Sequence, residues 1–232
     1  GVAAVQSLYI GLAISLMVTF VGIFFTKDLL RLMGSNQNII DNCSSYTSWM
    51  LTGNITIVML FLINGIFRGA GDASLAMRAL IISNGLNIIL DPIFIFGFGP
   101  VPAFGIEGAA IATNIGRGVG VTYQVYHLVK GKGLIKIHAD NFLVKWNIIA
   151  NLLKVSAGGT GQFLIGSASW IFLVRIMSSF GSVALAGYSI GIRVIIFAIL
   201  PAWGMANAAA TLVGQNLGAG KPDRAEKSVW RT

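Results

Sequence analysis

Charge is scarce in this chain, and negative charge scarcest: Asp and Glu number 8 against 16 Lys and Arg in 232 residues, and the four types together make up 10%. That is too little charge to solvate the surface of a soluble domain of this size. Cysteine occurs once, at Cys43, which excludes an internal disulfide and any cysteine-based metal site. The 2 histidines, His127 and His138, lie at no metal-binding spacing. Paired Ser/His/Asp groups and phosphate loops are missing too, and Gly69-Ala70-Gly71 follows no strand, so the chain reads as something other than an enzyme. No basic stretch with a cleavage site precedes the first apolar run, so no signal peptide is expected. The chain starts at Gly1 and stops at Trp230-Arg231-Thr232, and is read as an internal segment of a longer protein.

What the chain has instead is apolar length: 55% of residues are hydrophobic and the mean hydropathy is +0.79. The 29 glycines fit membrane helices, in which small residues let backbones approach closely. A net charge of +8 in a soluble protein would point to nucleic acid, but its placement here says otherwise. Two Lys and Arg lie in 68–78, five in 130–154 and four in 221–231, eleven of the 16. Between these connections run charge-poor stretches long enough to cross a bilayer as helices, which takes roughly 20 apolar residues each. Spans are expected over 5–25, 44–67, 76–97, 106–129, 150–176 and 184–213. Six crossings put all three basic connections on one side, and Lys and Arg mark that side as cytoplasmic. The fold class expected is all-α, a polytopic membrane helical bundle, with no nucleic-acid partner.

Loops carry their own signals. Gly97-Phe98-Gly99-Pro100-Val101-Pro102 punctuates the end of the third span. Phe142, Trp146, Ile149 and Leu153 recur at helical spacing beside Lys145 and Lys154, which reads as an interfacial lead-in to the fifth span. Trp49, Trp146, Trp170 and Trp203 are read as packing or interface anchors, and Arg175 as snorkelling. Pro201 interrupts the sixth span, with Gly204 and Asn207 after it, where a kink can shape a cavity.

Polar groups at membrane depth are costly and normally face a bundle interior or a wet cavity. Asn84, Asn87 and Asp91 stand at i, i+3 and i+7, on one face of the third span. A carboxylate there can bind a cation or exchange a proton, with Asn87 supplying an amide one turn away. It can equally hydrogen-bond a neighbouring helix near the outer interface, ahead of Pro92. The fourth span brings Glu107, Thr113, Asn114, Arg117 and Gln124. Glu107 suits the positive end of a helix start, Arg117 is read as a member of a structural ion pair, and Gly116 and Gly120 are spaced for close helix contact. Arg193 lies deep in the sixth span.

Several stretches taken together resemble the multidrug and toxic compound extrusion (MATE) transporter family. They are Phe67-Arg68-Gly69-Ala70-Gly71-Asp72, Asn84 with Asn87-Ile88-Ile89-Leu90-Asp91-Pro92, Gly105-Ile106-Glu107-Gly108-Ala109-Ala110-Ile111-Ala112-Thr113, and Val213-Gly214-Gln215-Asn216-Leu217-Gly218-Ala219-Gly220-Lys221-Pro222. The resemblance implies a transporter of twelve helices in two lobes, of which this segment supplies six, the third to the eighth. On that reading 1–130 holds the last four helices of the N-lobe, 131–149 the inter-lobe connector and 150–232 the first two helices of the C-lobe. No internal repeat is visible within the six spans, which fits this reading, because the seventh and eighth helices would echo an absent first and second. In the family an Asp on the first helix meets an Asn and an Asp on the fifth and a Thr on the sixth. These map onto Asn87, Asp91 and Thr113, with the first-helix Asp upstream of the segment. Asn84, Asn114, Arg117, Arg193 and Asn207 are further candidates for the cavity or its polar network. Gly166 stands where many relatives carry an acid, and Gly158-Gly159 replaces a common proline.

The activity implied is cation-coupled antiport, with H+ or Na+ as coupling ion and no cofactor. It would export small organic, often cationic, compounds across the inner (plasma) membrane. The partners implied are substrate, the bilayer and the remaining helices of the same transporter. A lipid-linked glycan flippase of the same superfamily is the alternative. It would need a basic cavity for which Arg117 and Arg193 are scant provision. An inactive truncated segment is the other.

Overall fold

A computed structural model describes residues 1–32, 37–130 and 139–232. Among the described residues the regular structure is helical, apart from one isolated bridge between Phe98 and Val101. The helices are α1 (Val2–Phe24), α2 (Thr26–Leu32), α3 (Gln37–Thr52), α4 (Asn54–Gly69), α5 (Ala73–Phe96), α6 (Ile106–Lys130), α7 (Trp146–Ser178), α8 (Ser182–Gly218) and α9 (Pro222–Arg231), with a 3-10 turn at Ala139–Phe142. They form two compact units, Gly1–Lys145 and Trp146–Thr232.

Helices α1, α5, α7 and α8 are each long and apolar enough to cross a membrane. The second expected span, 44–67, is not one helix. It is α3 and α4, bent by 40° at a break on Gly53, and the pair counts as one further span. Helix α3 also starts seven residues earlier than its apolar stretch, at Gln37, whose amide donates to Asp41 at 2.9 Å. Hydropathy finds the membrane core, while polar i,i+4 pairs carry a helix past it. The stretch after the first span forms a short helix, α2. Helix α6, carrying Glu107, Arg117 and Lys130, spans 25 residues, about 38 Å at the α-helical rise. It falls short of the other spans in apolarity and owes its place to packing.

That packing is by small residues. The buried positions of α6 include Gly108, Ala112, Gly116, Gly120, Gln124 and Leu128, one every fourth residue. A β-carbon at Gly116 would lie 2.7 Å from the Ser83 carbonyl oxygen, and one at Gly120 would lie 3.0 Å from Ser83 Cβ. Helix α6 therefore runs against the backbone of α5, as the glycine spacing leads one to expect. The hairpin between them is held in register by Phe104 and Gly105, whose amides donate to the carbonyls of Phe94 and Ile95 at 2.9 and 3.1 Å. Gly97, at φ +77 and with Ala103 N 2.8 Å from where its β-carbon would be, makes the turn. Helix α1 buries Ala4, Gly11, Ser15 and Gly22 along one stripe, with Gly11 against Leu62 of α4 and Gly22 against Leu51 of α3. An apolar cluster of Ile63, Phe67, Leu75, Ala76 and Leu128 closes one end of this unit.

The connector meets α1 through side chains. Gln6, fully buried, donates from Nε2 to the Leu143 carbonyl at 2.9 Å and accepts from the Lys145 amide at 3.2 Å. Tyr9 Oη donates to the Phe142 carbonyl at 3.0 Å. Phe142 thus belongs to the turn packed on α1, and the lead-in helix starts only at Trp146, continuing without a break to Ser178. Its 33 residues make about 50 Å, longer than a hydrocarbon core of about 30 Å. The first part of the connector lies outside the described residues. In the second unit α8 runs unbroken through Pro201, and α9 folds back on it, with Ala225 buried and Asn216 Nδ2 donating to Ser228 Oγ at 3.1 Å.

Candidate functional site

Asn87 and Asp91 lie one turn apart on α5, and Asn87 Nδ2 donates to Asp91 Oδ1 at 2.9 Å. The same amide nitrogen donates to Thr113 Oγ1 on α6 at 3.3 Å. The Thr113 hydroxyl hydrogen is committed to the Ala109 carbonyl at 2.7 Å, so its oxygen is presented to Asn87 as an acceptor. Backbone proximity makes this reach feasible: Gly116, one turn along α6, would place a β-carbon 3.3 Å from Asn87 Cβ. All three side chains are half-buried. The cluster presents a carboxylate, an amide and a hydroxyl, all hard oxygen donors, with both amide hydrogens of Asn87 already used. Among the described residues no group of three His, Cys, Asp or Glu is placed to hold a metal ion.

Of the other candidates, the structure separates most from this cluster. Asn84 shares the face of α5 but is exposed and joins none of these bonds, because Ser83 is the residue that turns into α6. Arg117 is half-buried and forms no ion pair among the described residues. The expected ion pair is absent there, and Asp91 is turned to Asn87 instead. Arg193 is exposed on α8, and Asn207 donates to the Trp203 carbonyl of its own helix at 2.9 Å.

Asn114 belongs to a different network. Its Nδ2 donates to the Trp49 carbonyl at 2.9 Å and its Oδ1 accepts from Thr56 Oγ1 at 3.3 Å. These partners stand on either side of the α3–α4 break. The Asn114 side chain fills the place where a side chain on Gly53 would stand. Sequence reasoning passed over Gly53, Thr56 and Gln6. A glycine between Thr52 and Asn54 in mid-span, and a lone glutamine in an apolar run, were the available signals.

Comparison with known proteins agrees with this architecture. The family model MatE matches residues 1–93 and 161–232, which takes in Asn87 and Asp91 but not Thr113 or Asn114. The FAD transporter of Shewanella oneidensis is 26% identical over 226 residues, 93% of this chain and 49% of that protein. The multidrug export protein MepA of Staphylococcus aureus is 24% identical over 215 residues, 93% of this chain and 47% of its own length. A solved MOP superfamily transporter from Pyrococcus furiosus superposes with a TM-score of 0.88 at 30% identity, over 98% of this chain and 50% of that one. The chain spans about half the length of the curated relatives it matches. Its relatives are transporters, and its long apolar helices make it a multi-pass protein of the plasma membrane. With the model matched over most of its length, the chain belongs to the MatE family of transporters.

Proposed function

We propose that the whole protein is an antiporter exporting small organic compounds, and that Asn87, Asp91 and Thr113 form part of its cation- or proton-coupling site. The observation that carries this reading is the Asn87 amide, which joins Asp91 to Thr113 across two helices. A charged carboxylate at membrane depth is expensive, so one held by a dedicated amide marks an ion path more often than a scaffold. Asn87 fixes Oδ1 of Asp91 as an acceptor and leaves Oδ2 to take a proton. For sodium, the Asp91 carboxylate, the Asn87 side-chain carbonyl and the Thr113 oxygen supply three hard oxygens, with the remaining ligands coming from helices outside this chain. Loading the site neutralises the carboxylate and favours one lobe conformation. Substrate favours the other, and the coupling equals the difference in affinity between the two states.

In this scheme residues 1–130 are the last four helices of the N-lobe, 131–149 the connector and 150–232 the first two helices of the C-lobe. The relatives named for multidrug export and for FAD share bulky organic cargo, and we assign that class here. The test uses the full-length protein, with ethidium efflux followed under a sodium gradient and with a protonophore. Asp91→Asn should abolish efflux while expression holds. Collapse of parental efflux with the protonophore assigns protons, and dependence on the sodium gradient assigns sodium. Normal efflux by Asp91→Asn would sink the assignment.

A further inference from the structure

The break between α3 and α4 is built rather than incidental. Side chains from three helices converge on the carbonyls beside it. Thr19 of α1 donates to the Thr52 carbonyl at 3.2 Å, Thr56 Oγ1 donates to the Gly53 carbonyl at 2.8 Å, and Asn114 of α6 donates to the Trp49 carbonyl at 2.9 Å. Buried backbone groups in a bent helix need such partners, and three different helices provide them. Among the described residues Asn114 alone hydrogen-bonds to both sides of the break, from Trp49 on α3 to Thr56 on α4. It occupies the space over Gly53 so closely that any side chain there would expel it. The α3 turn before the break also lines a cleft of about 310 Å³ formed by Ser45, Ser48, Trp49 and Thr52.

The neighbour of Asn114 in the chain is Thr113, which accepts from Asn87. One peptide of α6 therefore touches the Asp91 cluster with one side chain and the α3–α4 break with the next. Successive side chains on a helix diverge by about 100°, so the two contacts fall on different faces and can be made at once. Any shift of α6 that follows loading of the Asp91 cluster is delivered to the break through a rigid two-residue link.

We propose that the Gly53 break is a hinge, that Asn114 is its latch, and that the Thr113-Asn114 pair ties the latch to the Asp91 cluster. Asn114 is then a positioning residue: it sets the bend of the α3–α4 span, and with it the shape of the Ser45–Thr52 cleft, as the site loads. The link to transport rests on the coupling reading above, while the hinge itself does not.

The test uses the full-length protein. Asn114→Ala should slow ethidium export about tenfold per correctly folded transporter, counted by its monodisperse fraction, with substrate affinity unchanged within twofold. Gly53→Ala acts by expelling Asn114, so the double variant should be no slower than either single within twofold. Multiplied losses near a hundredfold, or parental rates in Asn114→Ala, would overturn the latch. A second measurement needs no change at the hinge. Spin labels at Asn42→Cys and Gly65→Cys, both at exposed positions on either side of the break, are placed in a Cys43→Ser background. Their distance should change between the cation-loaded and cation-free protein, and Asn114→Ala should broaden the distribution. A distance indifferent to cation and to Asn114 would overturn the hinge. If Asp91→Asn keeps cation-dependent export while the Gly53 and Asn114 losses remain non-additive, the coupling assignment fails and the hinge stands.

Discussion

Two helical hairpins in this chain carry comparable glycine and only one of them uses it. In α5–α6, a β-carbon on Gly108 would strike the Phe94 carbonyl and one on Gly116 the Ser83 carbonyl. In α7–α8, Gly158, Gly159, Gly161, Gly166, Gly187 and Gly191 meet nothing within 4 Å, and α7 buries no residue. Glycine permits close approach but does not cause it. Register causes it. The α5–α6 turn is pinned by amides that cross from one strand of the hairpin to the other, Phe104 to Phe94 and Gly105 to Ile95. The α7–α8 turn is closed only by bonds within three or four residues along the chain, such as Gly181 to Ser178 and Leu185 to Gly181. Polar chemistry follows the same division: the pinned hairpin brings Asn87 to Thr113, and the unpinned one leaves Arg193 exposed.

The sharpest way to break this contrast is to put the same side chain on both hairpins of the full-length protein. Gly116→Val drives branched carbons into a backbone carbonyl that cannot rotate away, so the helices must separate. Overpacking of this kind costs about 3 kcal/mol at the upper end of its ordinary range, and a thermal unfolding midpoint several degrees lower is expected. At Gly187 there is open space and the helix itself tolerates the change, since Gly and Val differ by roughly 0.5 kcal/mol in helix propensity. Gly187→Val should therefore leave the midpoint nearly unmoved. Equal losses at the two positions would show that α8 is covered in the whole protein, and the contrast would then belong to the segment alone.

How much of this was legible beforehand divides along similar lines. Four of the expected spans became single helices because long apolar runs admit few alternatives, a fifth became α6 through its packing on α5, and the Gly97 turn was marked by its own glycines and prolines. The second span failed at Gly53. Apolarity around a break looks the same as apolarity through a straight helix, and the side chains that satisfy the break come from Thr19 and Asn114, far away in sequence. Asn87 and Asp91 were legible because their i,i+4 spacing is local. Thr113 entered through family resemblance. Its exact neighbour depends on Gly116, a packing detail that spacing alone does not fix. Arg117 was misread for a related reason: sequence shows that a buried cation wants company, but not that Asp91 is already turned to Asn87.

A smaller effect separates the two units where they meet in the chain. Gln6 holds the last residues of the first unit by two bonds from a fully buried amide, whereas α7 starts immediately afterwards, with Trp146 exposed. Gln6→Ala leaves the Leu143 carbonyl and the Lys145 N–H without that partner, a loss of about 2 kcal/mol. Hydrogen exchange at the Lys145 amide should accelerate at least tenfold. Amides in the first turn of α7, which have no intrahelical acceptor in any case, should exchange as fast as before. Unchanged protection at Lys145 would mean that the connector is held by something other than Gln6.

The finest comparison is between two turns of nearly the same sequence. Gly69-Ala70-Gly71-Asp72 and Gly218-Ala219-Gly220-Lys221 both end a helix with the third residue, a glycine, at positive φ, +93 and +68. In each, the amide of the following residue reaches back to a carbonyl five residues earlier, Asp72 to Phe67 and Lys221 to Asn216, both at 2.9 Å. The next helix then starts from nearly the same backbone, φ −101 and ψ 63 at Asp72 against φ −119 and ψ 71 at Lys221. Asp72 caps α5 by accepting from the Leu75 amide at 3.2 Å, while Lys221 offers α9 no side-chain cap and sets a cation at the positive end of its dipole. Because the backbones agree, the cap should be transferable. Asp72→Ala should lower stability by about 1 kcal/mol, and Lys221→Asn should raise it by a similar amount, read as opposite shifts of the unfolding midpoint. A fall in both would mean that Lys221 serves α9 through its charge, and that two turns alike in geometry are held by different forces.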